Sequence, residues 1–355
     1  MNHQRGLVPR NGNWKTSTDW AVTTGVSPVR RSENSTSRTG TDFDQTHIAS
    51  TKSYSYVIKP SARKKSVSHD CESLMLAKCG FELAKSLQVS KVMVQASEVN
   101  EPALFEVHRA DKCIVWLVRT RQDMPEQLHE RDVVIELPES THSRENQLKV
   151  GMLLAVLKGI VALDENVVCL SGLADSKRMD TLFVANARRD FPWFEKRTFQ
   201  EMSQLISTHE FVSTLGVALR LAKEGREGKP IGTSFVLGDE FELSPYLKQL
   251  VLNPCQGHPS KNREIHNPEF FETIREFAAL DGAFVIDNNG VVQSAGTYLN
   301  APSTNTLAQG LGARHAAARS ITELTHAISL VVSSSSGTVT VFHEGQMVLE
   351  LERNG

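Results

Sequence analysis

Apolar side chains recur along the chain with two different periods, beginning near Ser68. The segment CESLMLAKCGFELAKSLQ places them three or four residues apart, which predicts a helix. The segments SKVMVQA, KCIVWLVRT, DVVIELP and NVVCLSGL are short apolar runs with polar or turn residues at their ends, and each predicts a buried strand. Between the last two lies the helical pattern ENQLKVGMLLAVLKGIVAL. Strands that alternate with helices predict a parallel, helix-covered α/β domain over residues 68–195.

A second set of elements is predicted over residues 200–355. Helical patterns occur in FQEMSQLISTHEFVSTLGVALRLAKEGREGK, in NPEFFETIREFAAL and in residues 310–325. Strand patterns occur in PIGTSFVLGD, AFVI, VVQSAGTYLN and AISLVVSS. The final segment, GTVTVFHEGQMVLEL, predicts a hairpin that turns at Glu344 and Gly345. The chain is therefore expected to contain two α/β domains.

Residues 1–67 lack both patterns and predict a disordered tail. The tail is rich in Ser, Thr and Arg and has few large apolar side chains to bury. It ends in the basic cluster Arg63-Lys64-Lys65, which is compatible with a tail that binds nucleic acid or a protein partner. A solvated extension without a partner is the favoured interpretation.

The amino-acid composition limits the classes of protein to which the chain can belong. The 355 residues include 40% hydrophobic and 23% charged residues, as in soluble globular proteins, and the formal net charge is −2. Such a balance gives no global attraction to nucleic acid or to a membrane. No apolar run approaches the roughly 20 residues that cross a bilayer. The five cysteines are scattered and form no CxxC pair, so we expect reduced thiols packed as small hydrophobic residues, in a cytoplasmic protein.

Three segments of the second domain carry groups that bind phosphate. They are Asp281-Gly282-Ala283, the glycine-rich GLGARH of residues 310–315, and the serine run SSSSG of residues 333–337. Glycines that lead into a helix expose its unpaired N–H groups, which attract anions, and Arg314 adds a planar fork for phosphate oxygens. Each segment alone also fits an ordinary turn, helix end or loop, so the individual signals are weak.

Together the segments resemble the diadenylate cyclase domain, a family first described in the DNA-integrity scanning protein. The family is marked by a DGA motif, a G-T-R-H-R motif after a comparable gap, and a serine at a strand end. Here the marks stand as Asp281-Gly282-Ala283, Gly312-Ala313-Arg314-His315-Ala316 and Val332-Ser333. The resemblance covers residues 205–350 and implies a mixed, twisted sheet flanked by helices.

This resemblance implies an enzyme that joins two ATP molecules into cyclic di-AMP and releases two pyrophosphates, with Mn²⁺ or Mg²⁺. It assigns Asp281 to catalysis, and Asp281 and His315 to the metal ion. It places Tyr298 and Leu299 against the adenine. The implied ATP-binding residues are Gly282, Ala283, Thr297, Tyr298, Leu299, Gly312, Ala313, Arg314, His315, Ser333 and Ser335.

The implied reaction needs two ATP molecules that face each other, so a homo-oligomer that pairs its cyclase-domain faces is expected. No membrane or nucleic-acid partner is expected. The chain departs from the family pattern at Ala313, at Ala316, and at Ser334 and Ser335, where acidic residues are frequent in the family. An alternative is therefore a sensor that binds ATP or cyclic di-AMP without turnover.

The first domain resembles the C-terminal domain of pyruvate kinase, as in soluble archaeal-type members of the same family. The likeness is carried by KVMVQAS, CIVWLVRT and VVCLSGLADSKRMDTLFVANA. A third hypothesis sets the cyclase resemblance aside and treats the chain as a regulatory protein that binds a small phosphorylated effector. Ser171, Gly172 and the segment from Ser140 to Arg144 would then line the pocket, although ordinary loops at strand ends are the simpler explanation.

Overall fold

The computed structural model describes residues 69–99, 105, 108–173, 176–190, 208–225, 229–302 and 312–353, which all lie in the compact unit formed by residues 64–355. The predicted tail of residues 1–67 lies outside the described residues, as do Gly310 and Leu311. The elements predicted from the two periods are confirmed wherever the chain is described, with shifts of a few residues at their ends.

The first half of the described chain forms a five-stranded sheet with the order β3-β2-β1-β4-β5. Strands β1 to β4 are parallel, as predicted, whereas β5 runs antiparallel to β4 along the edge. Its elements are α1 (His69–Ser86), β1 (Lys91–Gln95), β2 (Cys113–Val118), β3 (Val133–Glu136), α2 (Arg144–Leu157), β4 (Asn166–Gly172), β5 (Met179–Asn186) and the single-turn α3 (Ala187–Asp190).

The second half forms a mixed seven-stranded sheet with the order β12-β11-β10-β6-β8-β9-β7. Only the pair β6 and β8 is parallel among its described strand pairs. Its elements are α4 (Thr208–Glu224), β6 (Thr233–Leu237), α5 (Glu240–Leu243), β7 (Leu247–Gln249), α6 (Phe271–Phe277), β8 (Ala283–Ile286), β9 (Val292–Leu299), α7 (Ala313–Leu324), β10 (Ile328–Val332), β11 (Val339–His343) and β12 (Gln346–Leu351).

One hydrophobic core connects the two sheets. Side chains from both sheets and from α2, α4 and α6 belong to the same buried cluster, in which Leu153 of α2 and Leu215 of α4 are completely buried. The opposite face of the second sheet packs against α7 through smaller clusters that include Ile321 and Ala318. This second face is the one that carries the cleft described below.

Two further expectations from composition can be compared with the structure. No helix in the described parts of the chain combines the length and apolar character that a membrane span requires. All five cysteines are free thiols, and Cys169 and Cys255 are buried as expected. Cys71 and Cys79 are exposed on α1, so the prediction of packed thiols is wrong for these two. Both lie in α1, as the helical period predicts, but the structure places them on its solvent side.

Candidate functional site

A single row of paired residues crosses the second sheet and forms the floor of a cleft of about 770 Å³. Each member of the row is the register partner of the next, on six neighbouring strands from β9 to β12. The row consists of Thr297, Ala283, Ser234, Val331, Thr340 and Glu350. At roughly 4.8 Å between strands it spans about 24 Å.

Successive side chains of a strand point to opposite faces of the sheet, and this alternation explains why the floor of the cleft is open. Phe235 and Phe284 are register partners whose rings stack with 5.1 Å between centroids, and both belong to the core beneath the sheet. Their neighbours Ser234 and Ala283 therefore point to the opposite face. Because these side chains are small, they leave space above the sheet between the loops at its ends and the first turn of α7.

The turn before β8 brings Asp281 to the mouth of the cleft. Gly282 has a φ of +110°, and a Cβ added there would lie 2.6 Å from the carbonyl carbon of Gly296. Only glycine tolerates this close approach of two backbone segments in that conformation. The Asp281 side chain is 92% exposed, and its Oδ1 lies 3.3 Å from Nη2 of Arg314.

The first turn of α7 faces the same cleft, and no described residue accepts a hydrogen bond from the N–H groups of Ala313, Arg314 or His315. Gly312 is the N-cap residue and supplies no side-chain hydrogen bond, and the first turn holds no acidic residue. The positive end of the helix is therefore available to an anion from solution. Arg314, in the same turn, contacts Asp281 and places a guanidinium beside these N–H groups.

The imidazole of His315 lies deeper in the cleft than Arg314. Its Nε2 is 3.5 Å from Oγ1 of Thr340, and its ring meets Phe342 edge to face with 6.1 Å between centroids. Burial lowers the pKa of His315, and the nearby Glu350 carboxylate opposes this effect. The neutral imidazole is thus favoured at neutral pH, with a nitrogen lone pair that can bind a metal ion.

The serine loop closes the end of the cleft beside β10. The Oγ atoms of Ser333 and Ser335 are 3.1 Å apart, and the N–H of Ser336 donates to Oγ of Ser333 at 3.3 Å. All four serines line the cleft, and Ser334, Ser335 and Ser336 are exposed. The loop therefore offers hydroxyl groups and no charge to a bound molecule.

The end of β9 forms the opposite side of the cleft. Tyr298 is 49% exposed, whereas Leu299 is almost completely buried beside it. The hydroxyl of Thr297 is already occupied, because it lies 2.7 Å from Oγ of Ser294 and donates to Oε1 of Gln249 at 3.1 Å. The exposed Leu250 joins this side, which is thus the apolar end of the cleft.

The donor groups of the cleft suit a divalent ion that is shared with a polyphosphate. Among the residues that the structure describes, no three His, Cys, Asp or Glu side chains converge as a metal cluster. The described lining contains two carboxylates, Asp281 and Glu350, and one imidazole, His315. Mg²⁺ and related ions commonly bind one or two protein ligands and take the remaining oxygens from substrate phosphates and water.

The structure brings into this one cleft all twelve residues that the family resemblance assigns to catalysis, metal binding or ATP binding. It also adds lining residues that the sequence analysis did not name. Most are positions on separate strands that only the register brings together, and a single sequence has no local signal for them. The residues missed are Ser234, Leu250, Ala317, Val331, Thr338, Thr340 and Glu350, whereas Val332, Ser334 and Ser336 were named only as members of the serine-bearing segment.

The residues of the effector hypothesis lie together at the carboxyl ends of the first sheet. Arg144 donates from Nε to the carbonyl oxygen of Gly172 at 3.2 Å and forms an ion pair with Asp180. Ser140 donates to the carbonyl oxygen of Gly216 at 3.1 Å, and Ser171 is fully buried. The arginine and Ser140 thus make structural contacts within the protein.

Comparison with known proteins connects this cleft to one enzyme class. Residues 220–347 match the family model described as DisA bacterial checkpoint controller nucleotide-binding. The chain is 34% identical over 227 residues to a diadenylate cyclase of Methanocaldococcus jannaschii, a match that covers 59% of this chain and 69% of the relative. It is 30% identical over 244 residues to a diadenylate cyclase of Haloferax volcanii, with 64% and 83% covered.

The similarities to solved structures are weaker than those to the two diadenylate cyclases. DacA from Staphylococcus aureus is 22% identical with a TM-score of 0.30, over 41% of this chain and 87% of that one. A pyruvate kinase from Cryptosporidium parvum is 12% identical with a TM-score of 0.28, over 35% of this chain and 24% of that one. Scores this low carry no argument, so the pyruvate-kinase likeness of the first sheet stays a prediction.

Proposed function

The chain belongs to the diadenylate cyclase family, and from that premise we propose that its cleft joins two ATP molecules into cyclic di-AMP. In each half-reaction the 3′-oxygen of one ATP forms a bond to the α-phosphorus of the other. The bond from that phosphorus to the bridging oxygen breaks, and pyrophosphate leaves. The observation that carries the proposal is the contact of Asp281 with Arg314 at the anion-binding end of α7, within one cleft.

Asp281 is the proposed catalytic residue. Its exposed carboxylate lies at the mouth of the cleft, where it can accept the proton of a ribose hydroxyl and favour its attack. The absence of a side chain at Gly282 supports a close approach of the sugar to the backbone of Gly282 and Ala283. Arg314 limits the negative charge that Asp281 presents to the nucleotide.

The first turn of α7 is the proposed site of the triphosphate. The N–H groups after Gly312 and the guanidinium of Arg314 would bind phosphate oxygens, since positioning and charge neutralisation are the main contributions of a protein to phosphoryl-type transfer. Ser333 and Ser335 would add hydroxyl donors from the opposite loop. Ala313 contributes only its backbone, which is consistent with a contact made through N–H groups.

The apolar end of the cleft is the proposed site of the adenine. Tyr298 offers an exposed ring, and Leu299 and Thr297 form the surface beside it. An aromatic face and an aliphatic side chain suit a flat base, whereas the phosphates would lie toward α7. The nucleotide would therefore lie across the row of strands rather than along one strand.

A divalent cation, Mn²⁺ or Mg²⁺, is the proposed cofactor, with Asp281 and His315 as its protein ligands. Their oxygen and imidazole donors fit such an ion when phosphates complete its coordination. When bound, the ion neutralises the charge that develops on the leaving pyrophosphate. Neutral His315, favoured by burial, is the form that binds a metal.

Two copies of the chain are proposed to pair through their cleft faces. One cleft of this size holds one nucleotide in the orientation above, and the reaction needs a second ATP opposite the first. Exposed apolar side chains beside the cleft support an interface there, since Leu252 is 97% exposed and Val251 is 43% exposed.

We also propose residues 200–355 as the cyclase domain and residues 68–195 as a pyruvate-kinase C-terminal-like domain. The parallel order of β1 to β4 supports the second assignment.

The reaction is tested by incubating the purified chain with ATP and either Mn²⁺ or Mg²⁺, and by resolving the products chromatographically. Cyclic di-AMP and pyrophosphate are expected in a ratio of one to two. Asp281→Asn should reduce the rate by about 100-fold or more, because a proton acceptor and a proposed metal ligand are lost. A folded, oligomeric protein that makes no cyclic di-AMP with either metal contradicts the proposal, and ATP binding without product favours the sensor.

A further inference from the structure

Glu350 occupies the end of the floor row that lies farthest from the adenine side. It is the register partner of Thr340 on the neighbouring strand, and Thr340 is the residue that contacts His315. Its side chain is exposed in the cleft and makes no ion pair or hydrogen bond with any described residue. By contrast, the carboxylate of Asp281 is already paired with Arg314.

An unpaired carboxylate at this place presents an electrostatic problem for the proposed substrate. The triphosphate of ATP, held at the first turn of α7, would extend toward Glu350. Like charges in a partly desolvated cleft repel each other. The serine loop on the same side offers only hydroxyl groups, which cannot neutralise that repulsion.

A cation between Glu350 and the phosphates converts this repulsion into attraction. The His315 imidazole lies at the same end of the row, because its Nε2 is 3.5 Å from Oγ1 of Thr340, the register partner of Glu350. One carboxylate, one imidazole and substrate phosphates form a donor set that Mn²⁺ and Mg²⁺ accept. It needs no third protein ligand, in agreement with the described part of the chain, where no cluster of three is found.

We propose that Glu350, together with His315, holds the divalent cation at the polyphosphate end of the cleft. The inference deepens the proposed function and rests on it, because the charge argument requires a nucleotide in this orientation. It assigns Glu350, a residue of the edge strand β12, as the carboxylate that binds this cation beside His315. Nothing in the sequence motifs points to it, since it lies 35 residues beyond His315.

The test measures metal binding without turnover. Mn²⁺ is titrated into the full chain and followed by the loss of the free-ion EPR signal, in the presence of an ATP analogue with a methylene group between the α- and β-phosphorus atoms. Glu350→Gln should weaken Mn²⁺ binding at least 10-fold. Glu352→Gln is the matched control, because it removes an equal charge two residues away outside the cleft lining, and it should bind Mn²⁺ as the wild type does.

A second measurement separates a metal ligand from a residue that merely supports the strand. Without metal, Glu350→Gln should bind the analogue as tightly as the wild type or more tightly, because a repulsive charge is gone. With Mn²⁺ present, the wild type should bind the analogue more tightly than Glu350→Gln does. Equal Mn²⁺ affinity in Glu350→Gln and the wild type overturns the inference, as does weaker analogue binding without metal in a variant whose thermal unfolding is unchanged.

Failure of this inference and failure of the proposed function give different results. If the wild type makes cyclic di-AMP while Glu350→Gln binds Mn²⁺ normally, only the inference is wrong. If the wild type binds Mn²⁺ and the analogue through Glu350 but makes no product, the inference stands as a nucleotide-metal site and the cyclase proposal is wrong. If the wild type binds no Mn²⁺ with the analogue, the inference is wrong irrespective of activity.

Discussion

Gly282 is the residue whose backbone the cleft depends on most directly. Its φ of +110° and the 2.6 Å that would separate an added Cβ from the backbone of Gly296 leave no place for a side chain. We predict that Gly282→Ala lowers the free energy of unfolding by about 1–3 kcal/mol through backbone strain alone, before the clash is counted. Urea denaturation measures the loss.

Gly312→Ala is the matched control for this prediction. Gly312 has a φ of −64°, and an added Cβ meets nothing within 4 Å among the described residues. Its free energy of unfolding should therefore change by no more than about 0.5 kcal/mol. Equal stability of the two variants would contradict the conformational argument for Gly282. The same Gly312→Ala protein should bind ATP more weakly if phosphates approach its backbone.

At the scale of elements, the Asp132 carboxylate joins β2 to the turn before β3. It accepts hydrogen bonds from Arg109, from Nε1 of Trp116 at 3.1 Å and from the N–H of Ile114 at 3.2 Å. The side chains of Asp132 and Arg109 are 1% and 4% exposed. Burial on its own would raise the pKa of Asp132, but the hydrogen bonds from Arg109 and Trp116 outweigh it and lower the pKa.

Because the folded pKa of Asp132 lies below the unfolded value, its stabilising effect is present above the unfolded pKa of about 3.9. The effect is lost as pH falls through the folded pKa. We predict that Asp132→Asn lowers the free energy of unfolding at pH 7 by about 3 kcal/mol, since it leaves Arg109 buried without its counter-charge. The difference from the wild type should shrink below pH 4 in urea denaturation.

Asp111→Asn serves as the control at this scale. Asp111 also forms an ion pair, with Lys112, but its side chain is 77% exposed. Exposed pairs contribute little, so the free energy of unfolding should match that of the wild type at every pH. If Asp132→Asn behaved in the same way, the buried pair would not be a stabilising link.

The elements that sequence patterns could predict were those with a strong local signal. The helix around Leu153 and the strand around Phe284 are long or wholly apolar, and Asp281 and Arg314 belong to recognisable motifs. Strand β7 was missed because it has only three residues, of which two are exposed. Thr340 and Glu350 were missed because the pairing of β10, β11 and β12 determines their place in the cleft. No single segment of the sequence contains a signal for that register.

At the scale of the whole molecule, the exposed side chain of Leu252 tests how copies associate. Leu252→Glu should weaken self-association and reduce cyclic di-AMP formation at least 10-fold, because a charge would be buried in the proposed interface. Binding of the methylene ATP analogue should be unchanged. Analytical ultracentrifugation and the product assay measure the two effects.

Leu173→Glu is the corresponding control on the other sheet. Leu173 is 66% exposed, follows β4 of the first sheet and is not among the residues that line the cleft. It should leave both association and product formation as in the wild type. A Leu252→Glu protein that remains fully associated and active would remove this surface from the proposed interface.

The contact between α2 and β12 has a consequence for how the protein avoids aggregation. Nδ2 of Asn146 donates to the carbonyl oxygen of Glu352 at 2.8 Å, and Nζ of Lys149 donates to that of Glu350 at 3.4 Å. Carbonyl groups along an outermost strand otherwise invite a strand from another molecule. The helix caps this margin of the second sheet, and β7 at the other margin is too short to template an added strand. The addition of strands from other molecules is thereby hindered at both edges of the second sheet.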